Sequence, residues 1–429
     1  MTDLRRHNYT SLFQRDIGAS AVRPVSVETV SHAARRLLGQ RVMSDILVLE
    51  SADAVSAFLE DIQGLVSHVR DTNPQYEGDA LQAAMTYLNA RQSARVALLW
   101  SHADREGQRQ LIGLVPYEEA RFRFGLPVRS LSLWTHIHSF IATPLLREGH
   151  EKQALGLFMA YADKRGAGFV RLPLFEAEGA VDAALIKLAE DQGRILVESE
   201  RHERAFLKST AASGEAYLAA SMRKKKRKEF NRLWNRLSEL GDVQFTITNG
   251  GDDISETIDR FLRLEAKGWK GKRGTALRVR PDEKRYFETI CKAAYRDGKF
   301  HCTELTLDGE PVAMLASFIA GRGLYTFKIG FDESYGRYSP GALLMMKMID
   351  GCLKDERIDW VDSCAIPNHP MIDHIWAERR AMRSVLVGTS HKASPLFIQY
   401  ACLMMRLGDR LRHMARNLYN RMRKEIEHG

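Results

Sequence analysis

Ser339-Pro340-Gly341 stands where a strand-like run, Gly323–Phe331, gives way through a polar loop to an apolar helix pattern. Serine is a favoured N-cap, and proline suits the first helical turn because its missing N–H would have had no partner there. The glycine carries no side chain, so the N–H groups of Gly341, Ala342 and Leu343 are expected to stay open to a ligand. With the positive end of the helix dipole they would make an anion site, a way to hold a pyrophosphate with backbone alone. Arg337, just before the turn, would add a charge-assisted bond to a phosphate. The same residues also suit a capped helix that binds nothing.

The chain that must position this turn has 429 residues, 45% hydrophobic and 27% charged, a globular balance with room for two or three domains. No apolar run approaches the roughly 20 residues needed to cross a bilayer. The first residues hold arginines without an apolar core behind them, so no secretory signal is expected there. Cys291, Cys302, Cys352, Cys364 and Cys402 form no C-x-x-C pair, which argues for a reducing compartment and against a structural zinc. No metal is expected, and the location is read as cytoplasmic, or peripheral at the inner face of a membrane.

A formal charge of +9 favours a polyanionic partner. The excess concentrates in Arg223–Lys228 and in the final helical pattern. The first reads as a solvated helix start or as a platform for a phosphorylated acceptor, a lipid-linked sugar or tRNA. The second, 396–426, puts Tyr400, Leu403, Leu407, Leu411 and Met414 on one stripe among arginines. It would lie on an anionic membrane surface or pack back on its own domain.

Periodicity predicts helices over Ala52–Val69, Gly78–Leu88, Glu151–Lys164 and Val181–Gln192, and strands over Ile46–Leu49, Ala94–Ser101, Gln108–Tyr117, Leu131–Ile137 and Phe169–Leu174. A turn is expected at Ala103–Gly107. In the second half, helices are expected over Gly214–Leu240, Asp253–Lys267 and Asp282–Asp297, with strands Val243–Thr248, Phe300–Leu307, Glu310–Ala320, Gly323–Phe331 and Ile358–Asp362. Asp308-Gly309 between two β-rich runs is a hairpin signal. Each half repeats one order of elements, so the fold class is α+β. The expected divisions are a weakly structured 1–44, a first domain 45–205, a second 206–390 and a basic helix 391–429.

The order helix, hairpin, strand, glycine-bearing turn, helix, strand resembles the GCN5-related acetyltransferase (GNAT) plan. The wording is similar to the CelD-like acetyltransferases associated with cellulose biosynthesis, close in plan to FemABX. It is carried by Arg223–Arg236, Leu264–Gly271, Asp308–Ala313, Tyr325–Lys328, Phe331–Tyr335 and Tyr338–Gly341, with Trp134-Thr-His-Ile-His138 and Thr143-Pro-Leu145 in the first half. The turn Arg-Tyr-Ser-Pro-Gly departs from the usual Gln/Arg-x-x-Gly-x-Gly/Ala, and the loop Asp362–Pro370 is not glycine-rich. The resemblance implies tandem GNAT-like domains with mixed, mostly antiparallel sheets. Acetyl-CoA or another acyl-CoA would be the co-substrate of the second domain, and the acceptor an amine or hydroxyl of a sugar, exopolysaccharide precursor or peptide. A FemABX-like transferase using aminoacyl-tRNA, or a non-catalytic accessory protein of polysaccharide synthesis, are the alternatives.

Acyl transfer requires an oriented acyl carbonyl, a base for the nucleophile and a proton for the leaving thiolate. Glu265, one turn before Trp269 and Lys270, and Asp362 and His369, flanking the loop after the last strand, are the candidate bases. Tyr325 is a candidate acid, while Trp269, Lys270 and Lys328 would line the acceptor site and Ser339 and Gly341–Leu343 the phosphate. Cys364 has no activating neighbour in the sequence and reads as a half-buried thiol.

Overall fold

The structure, a computed structural model, describes residues 45–103, 108–121, 128–248, 254–390 and 394–428; the side chains of 269, 409, 412, 413 and 415–428 lie outside the description. The expected N-terminal segment 1–44 and the tip of the Ala103–Gly107 turn fall outside it too.

The first half opens with β1 (Ile46–Leu49), then α1 (Ala52–Ser56), α2 (Leu59–Val66) and α3 (Gly78–Tyr87). A meander follows, β2 (Ala94–Trp100), β3 (Leu111–Ala120) and β4 (Ser130–Leu133), with the short β5 (Leu145–Leu146) beside β3. Then come α4 (Glu151–Lys164), β6 (Phe169–Glu176), α5 (Ala180–Asp191) and β7 (Leu196–Leu207). The second half runs α6 (Gly214–Ser221), α7 (Lys224–Ser238), β8 (Val243–Thr248), α8 (Ile254–Lys267), α9 (Trp269–Lys272) and α10 (Pro281–Arg296). It continues with β9 (Phe300–Leu307), β10 (Glu310–Ala320), β11 (Gly323–Phe331), α11 (Pro340–Lys354), β12 (Trp360–Asp362), β13 (Glu378–Gly388) and the long α12 (Pro395–His428).

Among the described residues, all thirteen strands join one sheet, ordered β1-β2-β3-β4-β6-β13-β7-β12-β11-β10-β9-β8 with β5 off that path. Each half is an antiparallel meander ending in one parallel pair, β4 with β6 and β11 with β12. The last strand of each half then crosses over. β7 pairs with β12, β13 pairs with β6, and β7 and β13 pair antiparallel with each other from Leu196↔Val387 to Phe206↔Glu378. The boundary expected between 205 and 206 therefore falls inside β7, and residues 378–388 complete the sheet of the first half.

Each half has its own apolar core, one around Val115, Phe158 and Phe175 and the other around Leu305, Leu344 and Met348. At the seam the contacts are polar and aromatic. Asp362, wholly buried, accepts from Arg204 Nη2 at 2.6 Å and Arg380 Nη1 at 2.8 Å, while Arg380 Nη2 donates to Glu176 at 2.6 Å. The Arg380 guanidinium lies over Trp360, 4.7 Å from the ring centre.

Three expected elements differ. The helix over Gly214–Leu240 is broken at Met222 and Arg223, whose extended backbone lets Met222 enter the core while the basic run begins a new helix. The Ala52–Val69 helix is likewise split at Ala57–Phe58, with Phe58 turned into the core. The strand expected to reach Ile137 stops at Leu133, because Trp134 and His138 turn inward towards an aromatic layer around Tyr286. The strands β7 and β13 were not anticipated from the sequence. Asp308-Gly309 does form the hairpin turn, with φ of 51° and 82°, the left-handed pair that such a turn requires.

Candidate active site

Parallel pairing of β11 with β12 ends early. It covers Gly323↔Trp360, Leu324↔Val361 and Tyr325↔Asp362, and Thr326 Oγ1 then donates to the Ser363 carbonyl at 2.5 Å. Beyond this point β11 runs on to Phe331 while the other chain bends away. The bend is built by Asp362, whose Oδ1 accepts the Cys364 N–H at 2.8 Å and holds Cys364 at a φ of 49°. The strands splay, and between them lies a cavity of about 170 Å³ lined among others by Thr326, Ile329, Met345, Cys364, His369 and Met371. At the same level β11 carries a bulge: Ala316 faces Lys328 and Ser317 faces Thr326, leaving Phe327 as the extra residue. The bulge puts Phe327 and Lys328 side by side.

The expected anion turn sits at the α11 end of this splay. Ser339 does precede the helix, but it is left-handed, with φ and ψ both 52°, and its side chain makes no cap bond. Its carbonyl instead accepts from Ala342 at 3.0 Å and Leu343 at 3.1 Å. The expectation of three open N–H groups is thus corrected: those of Ala342 and Leu343 are taken by Ser339, and the cradle narrows to Gly341. Arg337 is exposed at the turn, its guanidinium 4.7 Å from the Tyr338 ring centre. The helix that carries the basic run, α7, packs against the 333–338 turn, and Lys347 of α11 lies 4.1 Å from the Trp234 ring centre. Most of Arg223–Lys228 is exposed.

Of the four catalytic candidates, only His369 faces the splay cavity. Its Nδ1 accepts the Met371 N–H at 3.4 Å, an assignment that leaves the proton of a neutral ring on Nε2. Asp362 does not fit a base. Burial opposes its charge, but Arg204 and then Arg380 outweigh burial and hold the carboxyl below the usual carboxylate range. A carboxylate so stabilised takes protons poorly, and no acceptor reaches it. Tyr325 is wholly buried, donates to the Thr72 carbonyl at 2.8 Å, and is pushed up to about 12 by burial. It ties the halves together and does not face the cavity. Burial also pushes the Cys364 thiol up, against thiolate chemistry.

Glu265 is buried with both oxygens engaged, Oε1 by Lys270 Nζ at 3.0 Å and Oε2 by the Leu277 N–H at 2.9 Å. Lys270 also donates to the Ile329 carbonyl at 3.1 Å. Glu265 and Lys270 therefore fasten α8 and α9 to the free end of β11, a positioning role. Trp269 opens α9.

Lys328 faces a set of residues that the sequence did not bring together. His136 and His138 come from the loop after β4, and Arg280 and Glu283 from the start of α10. His138 Nε2 lies 2.9 Å from Glu283 Oε2, and Arg280 Nη1 donates to Glu283 Oε1 at 2.7 Å. The His138 ring stacks on Tyr286 at 5.8 Å and meets the edge of Phe327 at 6.0 Å. Burial, with Lys328 next in effect, pushes both histidines down to about 3, so both are neutral near pH 7. Burial and then Lys270 lower Lys328 from its ordinary value. The phrase Trp134-Thr-His-Ile-His138 was a sequence signal for this cluster; Arg280 and Glu283 gave none.

Residues 224–369 match the family model described as the acetyltransferase (GNAT) domain. That stretch runs from the basic helix through the splay to His369, so the second half is a GNAT-type acyltransferase domain, for which acyl-CoA is the implied co-substrate. With the first half repeating its plan, the fold is a tandem GNAT-like α+β architecture. The C-terminal domain of a putative lysylphosphatidylglycerol synthetase from Agrobacterium fabrum is similar in structure, at 12% identity over 82% of this chain and 96% of that chain, with a TM-score of 0.49. FemX is similar at 11% identity over 80% of this chain and 98% of that chain, with a TM-score of 0.49. A tandem GNAT protein from the clavulanic acid biosynthesis pathway follows at 12% identity, covering 80% and 97% of the two chains, with a TM-score of 0.42. The sequence has no match among curated proteins. Among the described residues, no helix is long and apolar enough to cross a membrane, and no group of three or more His, Cys, Asp or Glu residues is placed to hold a metal.

Proposed function

We propose that this chain transfers an acyl group from acyl-CoA to an amine or hydroxyl of a sugar, exopolysaccharide precursor or peptide, as a CelD-like member of its superfamily. The observation that carries the reading is the splay of β11 from β12 at Thr326, a cavity between them, and the start of α11 at its end. Gly341 N–H and Arg337 would hold the pyrophosphate, with Ser339, Ala342 and Leu343 shaping the turn, and α7 alongside would add positive charge. The thioester supplies an activated acyl carbon. The residues of the chain orient it, take the acceptor's proton and give a proton to the departing sulfur. Lys328, lowered by burial, keeps a neutral fraction that takes the acceptor's proton. The same proton goes on from Lys328 to the departing sulfur, to which His369 Nε2–H donates a hydrogen bond. Trp269 and Lys270 border the acceptor side, and Glu265 and Asp362 hold the two strands that splay.

The test is CoA release from acetyl-CoA and longer acyl-CoAs with a panel of amino sugars and peptides. Lys328→Met and His369→Ala should each lower kcat by about 100-fold or more, with Lys328→Arg unable to restore it. Undiminished turnover in both variants would end the assignment. If the protein binds tRNA in a salt-sensitive way and ignores CoA, the aminoacyl-transfer reading replaces it.

The exposed stripe of α12, Leu396, Tyr400, Leu403, Leu407, Leu411 and Met414, is proposed to rest on an anionic membrane surface. The opposite face, Ile398, Ala401, Cys402 and Met405, is already buried against Phe169 and Leu386, so packing back on the domain accounts for one face and leaves the other uncovered. The protein should sediment with vesicles rich in phosphatidylglycerol, and Leu403→Glu with Leu407→Glu should abolish this. Equal recovery of wild type and variant in the supernatant would count against it.

A further inference from the structure

A second cavity, of about 560 Å³, lies against the same bulge of β11. Its apolar wall includes Leu59 and Pro74 from the first half and Tyr286, Ile290, Phe318 and Phe327 from the second. Five of the six charged residues around it answer one another: Lys299 Nζ lies 2.5 Å from Glu77 Oε2, and Arg296 bonds Asp79 at 2.7 Å and Asp297 at 2.8 Å. These five groups are satisfied without a ligand, so what the cavity offers is apolar surface. Its volume is in the range of ligand pockets, roughly 300–1,000 Å³.

Phe327 belongs to the walls of both cavities. As the extra residue of the bulge it is released from pairing with β10, and its ring meets those of Phe318 at 5.5 Å, Phe140 and His138 at 6.0 Å and Phe287 at 6.2 Å, with Lys328 Nζ 5.5 Å from its centre. The two cavities therefore meet at this one residue. An acetyl group would leave this space unused, whereas an aliphatic chain attached to a carbonyl at the splay would find apolar surface in it.

We propose that the larger cavity receives the aliphatic chain of the donor, so that the preferred donor is a medium- or long-chain acyl thioester and Phe327 is the partition the chain passes. The proposal rests on the acyl-CoA reading above and names its acyl class. Calorimetry on the full chain with CoA, acetyl-CoA, octanoyl-CoA and dodecanoyl-CoA tests both separately. Each added methylene should tighten binding roughly fourfold until the cavity is filled. Ala294→Trp, at a half-exposed wall position on α10, should erase the increment between acetyl-CoA and octanoyl-CoA, with circular dichroism confirming the fold. Equal affinity for all four ligands overturns the chain-length proposal while leaving acyl-CoA as donor. Failure of CoA itself to bind overturns the donor reading and the proposal with it. Chain-length dependence that survives in Ala294→Trp also overturns the cavity assignment.

Discussion

Asp362 shows how a residue that looks catalytic in sequence becomes architectural in the fold. Its carboxylate makes the turn that parts two strands and neutralises two guanidiniums at the seam. Asp362→Asn leaves Arg204 and Arg380 without their shared anion and should cost about 3–5 kcal/mol at neutral pH. Because its folded pKa lies below the unfolded value, the stabilisation is fully present above about pH 4 and fades as pH falls through the folded value. Urea midpoints of wild type and variant should therefore converge on acidification; a constant gap would contradict this. Turnover measured where the variant is still folded should change far less than in Lys328→Met. The residue chemistry that sequence missed has one cause. His138 and Glu283 lie far apart in the chain, and only the packing of α10 against the loop after β4 makes them neighbours.

At the scale of elements, the close approach of β11 to β12 depends on Gly323. A β-carbon there would fall 2.1 Å from the Trp360 ring, a rigid neighbour that also packs on Tyr325 and Arg380. Gly323→Ala should destabilise the fold by about 1–3 kcal/mol and lower the thermal midpoint measurably, since the strands must separate at the point where their pairing begins. An unchanged midpoint would show that Trp360 yields freely. The elements legible in the sequence were those specified locally. The β9–β10 hairpin carries its Asp308-Gly309 turn, and α4 carries helical spacing over its whole length. The elements that escaped were β7 and β13. Their charges, Arg204, Arg380 and Arg383, are answered by Asp362, Glu176 and Asp182, and all three of these partners lie on other strands of the sheet or its flanking helix. Taken alone, LVESERHERAFL lacks the alternation of apolar residues that marks a strand, because the partners that neutralise it are distant in sequence. The turn before α11 lies where the sequence puts it, but its free donors were overcounted, because a left-handed Ser339 turns its own carbonyl onto them.

For the whole molecule, the exchanged strands make the two halves one thermodynamic object. Residues 1–205 and 206–429 produced as separate chains should each fail to give a cooperative melt, while the full chain should unfold in a single calorimetric transition. Two resolved transitions, or a well-folded isolated second half, would show that the crossing of β7 and β13 is dispensable. The polar seam between the halves, with Arg380 enclosed by Glu176, Asp362 and Trp360, is where that coupling resides.

The crossing of β7 and β13 also sets a timetable for synthesis. As the chain leaves the ribosome, β6 appears long before β13, the strand that must lie beside it, and β7 likewise waits for β12. Through most of translation the first half therefore presents open backbone edges, the kind that recruit other chains. Closure comes late and nearly at once, when residues 360–388 emerge and fill both gaps. A nascent chain of this design depends on being kept from its neighbours until residues 360–388 are made, so its yield in a cell should respond to the supply of chaperones more sharply than its finished stability would suggest.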